Sequence, residues 1–318
     1  MTSEFSLINQ FLEPFDKRGE GLLLGPGDDC ALVQVSSGMS LCTTVDAVVE
    51  GVHFLPDLFL DEEIGHKALA INLSDLAAMG ARPRWFLCSV ACPNDKTILS
   101  RLPGIARGMA ELARRAQCLI IGGNFTRADR LSLHITAMGE VPFANSLRRD
   151  GAQTGDLLFV SGTIGGAALA LQQFLKGQSP HPSIRQRQCR PEPRIELGLI
   201  ARQFASAAMD ISDGFLQDLG HLCACSHCGF EIDFAAIPIE PAIIKAGFSP
   251  SWALRGGEDY ELLLTVPPAK AKDFVDACAE KNISISHIGT AREGTQIHWQ
   301  NAPEALNLTA HRGFDHYI

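Results

Sequence analysis

Apolar positions along this 318-residue chain recur in two periods, and the alternation between them is the first structural signal. Short apolar runs predict strands at residues 41–45, 85–91, 118–121 and 131–141. Between them, residues 62–79 and 98–115 place Ala, Leu and Ile three and four positions apart, the spacing of amphipathic helices. The first half therefore reads β, α, β, α, β, β. Residues 149–156, Arg-Asp-Gly-Ala-Gln-Thr-Gly-Asp, are polar and glycine-rich and precede a new apolar strand at 157–160, which predicts a domain boundary there. The second half continues with a helix at 167–175, a Pro- and Arg-rich loop at 179–193 and a helix at 194–206. Strands at 230–237, 261–266 and 283–289 complete it. The pattern is that of an α/β protein with mixed sheets and two domains, 1–150 and 151–318.

Composition narrows the class. The length exceeds what one core usually holds, and 46% hydrophobic residues supply enough apolar surface for two. A formal net charge of −9, with basic residues grouped no further than pairs such as Arg148-Arg149, excludes a general nucleic-acid binder. No run of about eighteen apolar residues exists to span a bilayer, and the start, MTSEFSLINQFLEPFDK, carries acids where a signal peptide needs basic residues. A cytoplasmic location without membrane attachment is expected. The ten cysteines are irregularly spaced and often sit inside apolar runs such as Phe86-Leu87-Cys88-Ser89-Val90, which predicts reduced thiols rather than disulfides.

Five segments place carboxylates at element junctions: Gly27-Asp28-Asp29, Thr43-Thr44-Val45-Asp46, Asn72-Leu73-Ser74-Asp75, Asp210-Ile211-Ser212-Asp213-Gly214 and Gly256-Gly257-Glu258-Asp259. Any one could simply cap backbone N–H groups. Together, with glycines and hydroxyls beside them and apolar residues around them, they form an oxygen-donor set suited to Mg²⁺ and phosphates. Asp75 illustrates the point, because an uncompensated carboxylate in the apolar run 70–79 would be costly to bury. Neither GxxxxGK[ST] nor the HRD and DFG set of protein kinases is present, so ATP chemistry would need another architecture. The segment 157–166, ending Ser161-Gly162-Thr163-Ile164-Gly165-Gly166 before a helix, reads either as a phosphate cradle or as a tight turn. Residues 221–228, with two histidines and three cysteines, invite a zinc reading. The crowding of those ligands and Gly229 as a helix C-cap favour a helix end with buried thiols.

Taken in order, GPGDDCALV, TTVDAVVEGVHF, KALAINLSDLAAMGA, IGGN, MDISDGFLQDLGHL and LRGGEDYELLLTVP closely resemble the motifs of the thiamine-monophosphate kinase family, over nearly the whole chain. The resemblance implies a PurM-like two-domain subunit that dimerises through its N-terminal domain. It implies Mg²⁺-dependent transfer of the ATP γ-phosphoryl group to thiamine monophosphate, giving thiamine diphosphate and ADP. The acceptor is already an anionic phosphate, so the aspartates would hold metal and no protein nucleophile or base is needed. By the same resemblance, Asp29, Thr44, Val45, Asp46, Asp75, Asn124, Asp210 and Asp213 match metal positions. Gly123, Asn124, Arg149 and Ser212 match ATP positions, and His53, Glu258 and His311 match positions on the thiamine side.

One position departs from the family pattern. Asn124 stands where the family shows an aspartate metal ligand, which removes a charge and predicts weakened or water-completed metal binding. Other PurM-like ATP-dependent enzymes, such as selenophosphate synthetase, AIR synthetase and the hydrogenase-maturation proteins, are the alternatives of the same class. This chain has neither the reactive N-terminal cysteine nor the cysteine-bearing tail of the first and last. A catalytically weakened nucleotide-binding homologue and a metal-dependent phosphatase are the alternatives of other classes.

Overall fold

The computed structural model describes residues 4–302 and divides them into two compact units. The first runs through Leu76 and adds Ala81–Ala144 and Cys189–Pro191. The second comprises Ala77–Gly80, Asn145–Gln188 and the described residues from Glu192 onward.

The first unit carries α1 (Glu4–Leu12), β1 (Leu22–Leu24), β2 (Leu32–Val33), β3 (Met39–Val49), α2 (Asp61–Ala78), β4 (Arg82–Cys92), α3 (Lys96–Arg115), β5 (Leu119–Arg127) and β6 (Ser132–Pro142). Strands β3, β6, β4 and β5 form a four-stranded sheet in that order, and β1 and β2 form a separate small ladder. β4 and β5 are parallel because α3 crosses between them, whereas the other pairs are antiparallel. Helix α3 starts where the Asp95 carboxylate accepts from Thr97 N at 2.8 Å and Ile98 N at 3.3 Å. It crosses α2 at glycines: a Cβ on Gly108 would lie 1.9 Å from Glu62 O, and one on Gly65 would lie 1.8 Å from Ile105 O. The small residues in these helical runs are thus what allows the two backbones to touch.

The second unit carries β7 (Leu157–Ser161), α4 (Gly166–Leu175), α5 (Pro182–Cys189), α6 (Ile195–Ala201), β8 (Ala207–Asp210), α7 (Phe215–Ser226) and β9 (Gly229–Asp233). It continues through α8 (Pro241–Lys245), α9 (Pro250–Ala253), β10 (Leu262–Val266), α10 (Pro268–Glu280), β11 (Ile285–Arg292) and β12 (Ile297–Gln300). Its sheet has the order β12-β9-β11-β7-β10-β8. Both faces are covered, which is why β7 and β10 read as continuous apolar runs rather than alternating ones. Leu263, Leu158 and Val160 enter the core that holds Phe215, Leu219 and Leu222 of α7. Leu262, Leu264, Val266 and Phe159 enter the opposite core with Leu197 of α6 and Phe274 of α10.

Several sequence expectations are corrected here. The Pro- and Arg-rich stretch contains helix α5, and the following helix stops at Ala201. The strand expected to reach residue 237 ends at Asp233 and turns into a single 3₁₀ turn at Phe234–Ala236, capped by the Asp233 carboxylate. Helix α7 is closed by His227 in the left-handed conformation, φ 53°, and Gly229 is instead the first residue of β9. All ten cysteines are free.

Candidate active site

Strand alternation sorts the first unit's predicted ligands by sheet face. Asp46, Ile135, Cys88 and Gly123 are paired across β3, β6, β4 and β5, so they form one row on one face. Thr44 lies two residues away on that same face. Helix α2 packs there, and the Thr44 hydroxyl donates to Asp75 Oδ2 at 2.5 Å. The buried Asn72, one turn earlier on α2, accepts the Asp46 N–H at 2.9 Å and donates its own Nδ2 to Ala68 O at 3.0 Å. That amide fixes β3 against the helix and leaves the Asp46 side chain exposed. Burial, and next the Asp75 charge, raise the Cys42 thiol above its ordinary value. The strand thus offers oxygen donors and keeps its nearest sulfur protonated, which suits Mg²⁺ better than a soft ion. Val45 points to the other face and is 65% exposed, so only its carbonyl could join these donors.

The next row, Ala47, His134, Ser89 and Asn124, lies on the opposite face. Asn124 is therefore separated from Asp46 by three strand spacings, roughly 14 Å, and by the thickness of the sheet. The structure does not bring these two together. Asp29 sits exposed in the turn between β1 and β2, its N–H bonded to Asp28 Oδ1 at 2.8 Å. The β1–β2 ladder rests near Trp85, since a Cβ on Gly21 would meet the indole ring at 2.7 Å, and Trp85 shares its face with Asn124. The first unit's predicted donors thus fall into two groups: Thr44, Asp46 and Asp75 on the helix-covered face, and Asn124 on the face that the β1–β2 ladder approaches.

His53 follows β3 in a turn. Its Nδ1 accepts the Val49 N–H at 3.1 Å, so the neutral ring carries its proton on Nε2. Its carbonyl accepts from Lys67 Nζ at 3.0 Å. Lys67 is 1% exposed and also lies 5.5 Å from the centre of the Phe59 ring. The only sign of Lys67 in the sequence was a lone lysine in an apolar helical run.

In the second unit, β8 delivers Asp210, 2% exposed, and the chain then turns through Ser212 and Asp213 into α7. Gly214 makes the turn at φ 120°, where a Cβ would lie 3.0 Å from Arg255 O. One buried oxygen, Asp218 Oδ2, accepts the N–H groups of Ser212, Asp213 and Gly214 at 3.0, 3.2 and 3.1 Å. Burial first, and the neighbouring Asp213 next, push Asp218 up to about 7 despite those donors. Asp218 escaped the sequence reading because it lies in the first turn of α7, just beyond the Asp210–Gly214 segment that drew attention. With His221 it places ligand atoms within 4.8 Å of Asp213.

The Gly256-Glu258 segment is laced to this turn from the other side. Glu258 N donates to Ser212 O at 2.7 Å, and Tyr260 N donates to Ile211 O at 2.8 Å. Glu258 itself has φ 66°, a left-handed conformation rare for a residue with a Cβ. Gln188 of α5 donates to Glu258 Oε2. Arg187 donates to Glu261 Oε1 at 2.9 Å, Arg194 Nε donates to Glu261 Oε2 at 2.7 Å, and the Ser161 hydroxyl donates to the same oxygen at 2.5 Å. Burial alone would raise Glu261, but hydrogen bonds and charge from Arg194, with the charge of Arg187, hold it below the usual Glu value.

The glycine segment before α4 is not an open phosphate cradle. Asp259 Oδ2 accepts from Gly165 N at 2.7 Å and Oδ1 accepts from Ala167 N at 3.4 Å, so a protein carboxylate occupies that helix start. Burial pushes Asp259 up to about 7 against the nearby Arg187 charge. Residues 221–228 belong to α7 and its cap, with Cys223 Sγ donating to Thr295 O at 3.1 Å. Arg149 is exposed, and its carbonyl accepts from the Ser226 hydroxyl at 2.6 Å. His311 lies outside the described residues.

Residues 27–141 match the family description "AIR synthase related protein, N-terminal domain" and residues 153–300 match its C-terminal counterpart. A thiamine-monophosphate kinase of Haemophilus influenzae is 37% identical over 326 residues, covering 99% of this chain and 98% of its own. That of Escherichia coli is 35% identical over 325 residues, with 99% and 98% covered. Among solved structures, the enzyme of the same name from Stenotrophomonas maltophilia superposes with a TM-score of 0.85 at 38% identity, over 94% of this chain and 96% of that one. A ThiL chain described as complexed with AMPPCP and TMP gives 0.79 at 29% identity, over 99% and 97%. The hydrogenase-maturation protein HypE of Escherichia coli, at 22% identity and a TM-score of 0.77, shares the fold.

Proposed function

The chain belongs to the thiamine-monophosphate kinase family, and from that premise we propose how its own residues divide the work. It is an ATP-dependent phosphotransferase that converts thiamine monophosphate to thiamine diphosphate, with ADP as the second product. The observation that carries our mechanism is the Thr44–Asp75 bond beside Asp46: two carboxylates and a hydroxyl gathered on one strand face, with the adjacent thiol held protonated.

These donors fit Mg²⁺, which when bound supplies charge neutralisation between two anionic substrates. Asp46 and Asp75 hold the metal on the helix-covered face. Val45 adds its carbonyl to that group, Asn124 serves on the other face, and Asp29 adds an exposed carboxylate from the β1–β2 turn. Asp210 and Asp213 hold metal from the second unit, where Ser212, preset by Asp218, contacts ATP. Gly123 and Arg149 contact ATP as well. No residue needs to act as nucleophile or base, because the attacking group is a phosphate oxygen that is already negative.

On the thiamine side, His53 presents Nε2–H as a donor and Glu258 presents a carboxylate suited to a cationic thiazolium ring. The subunit dimerises through the open face of the β3 sheet, where Leu41 is 45% and Val45 65% exposed, and it works in the cytoplasm. A coupled assay tests the chemistry. ADP and thiamine diphosphate should appear one for one and only when both substrates are present. ADP formed without thiamine monophosphate, or hydrolysis of thiamine monophosphate without ATP, would contradict the proposal.

A further inference from the structure

We propose that Gln188 is a specificity-determining residue whose side-chain oxygen accepts a hydrogen bond from the exocyclic amine of the thiamine pyrimidine. The inference rests on the reading of Glu258 as a residue of the thiamine side. Gln188 occupies the penultimate position of α5 and is 2% exposed. Its Nε2 donates to Glu258 Oε2, and Oε1 is buried with no hydrogen-bond partner among the described residues.

The carboxylate decides which way the amide faces. Glu258 offers acceptors, so the nitrogen must turn toward it and the oxygen must turn away. An amide flip cannot satisfy both ends, because it would set oxygen against oxygen. A buried acceptor without a donor is costly to keep, and an apolar side chain of similar size would avoid the cost. A donor that arrives with the ligand resolves it.

The pair Glu258 and Gln188 thus presents a carboxylate for a cation and an amide oxygen for an N–H, and thiamine monophosphate carries both, in its thiazolium ring and its aminopyrimidine. The pair is also held rigidly, since the neighbouring Arg187 is bonded to Glu261 and Glu258 N to Ser212 O. A preset acceptor of this kind discriminates against ligands that lack the matching donor.

The test measures KM for thiamine monophosphate and for its analogue bearing an oxo group in place of the exocyclic amine, in wild type, Q188L and E258Q, with unfolding temperatures recorded alongside. Q188L should raise KM for thiamine monophosphate about tenfold, leave KM for ATP unchanged, and erase most of the wild-type preference over the oxo analogue. If Q188L misfolds, Q188M carries the same measurement. An equal loss for both ligands would overturn the contact and leave Gln188 as a support for Glu258. Unchanged KM in Q188L while E258Q raises it would overturn this inference alone. Unchanged KM in both variants would overturn the Glu258 reading as well.

Discussion

Asp75 shows how one side chain is made ready for its task. Its carboxylate, on an otherwise buried helical stretch, is held by the Thr44 hydroxyl at 2.5 Å, so Asp75→Asn keeps the shape and removes the charge. We expect that variant to unfold within about 1 kcal/mol of wild type and to lose about 100-fold in activity at fixed Mg²⁺, with part of the loss restored at high Mg²⁺. Steady-state kinetics across a magnesium titration checks this, and full activity at ordinary Mg²⁺ would remove Asp75 from the metal set. At position 124 the expected change is a gain. Asn124→Asp should lower the Mg²⁺ concentration for half-maximal activity by roughly tenfold, and an unchanged titration curve would show that this position does not touch metal. Asp259 gives a pH prediction. Its folded pKa of about 7 lies above the ordinary carboxylate value of 3.8, so the folded state holds the extra proton. The stability it contributes is complete below that lower value and is lost as pH rises through about 7. Urea titrations at several pH values should therefore show wild type losing stability relative to Asp259→Asn between those limits, and a pH-independent difference would contradict the assignment.

Among the elements, the helix pair α2 and α3 was fully legible in the sequence because its small residues recur at helical spacing. The glycines in that pattern proved to be contact points rather than weak spots. Gly108→Ala should cost about 1 to 3 kcal/mol, because its Cβ would stand 1.9 Å from the Glu62 carbonyl and the backbones would have to separate. Chemical denaturation measures this directly. Most strands of both sheets were legible as apolar runs, yet β8, Ala207–Asp210, and β12, Ile297–Gln300, were not, because four residues carry no period of their own and each is placed by the strand beside it, β10 or β9. Helix α5 was hidden for a different reason. Its proline and two arginines resemble a surface loop, and only the fold shows that Arg187 serves the buried Glu261 while Arg185 lies over the Phe174 ring. The acidic motifs nominated the candidate residues, while the sheet face each one occupies required strand register. That is how Asn124 and Asp46, both expected to hold metal, come to lie on opposite faces of one sheet.

At the scale of the molecule, each unit brings its own acids on a rigid framework: a strand edge and helix in the first, a strand end and helix start in the second. The exposed Val45 gives a test of assembly, since Val45→Asp should shift sedimentation from dimer to monomer while the second unit keeps its stability. The account as a whole holds that the aspartates bind metal and that the phosphoryl group passes directly from ATP to an acceptor needing no activation. The most direct measurement follows an ATP γ-phosphoryl group made chiral with oxygen isotopes. The account predicts that the label appears in the terminal phosphate of thiamine diphosphate with inverted configuration. Retained configuration would require a phosphorylated protein residue, and label in inorganic phosphate would require water as the acceptor. Either result would contradict it.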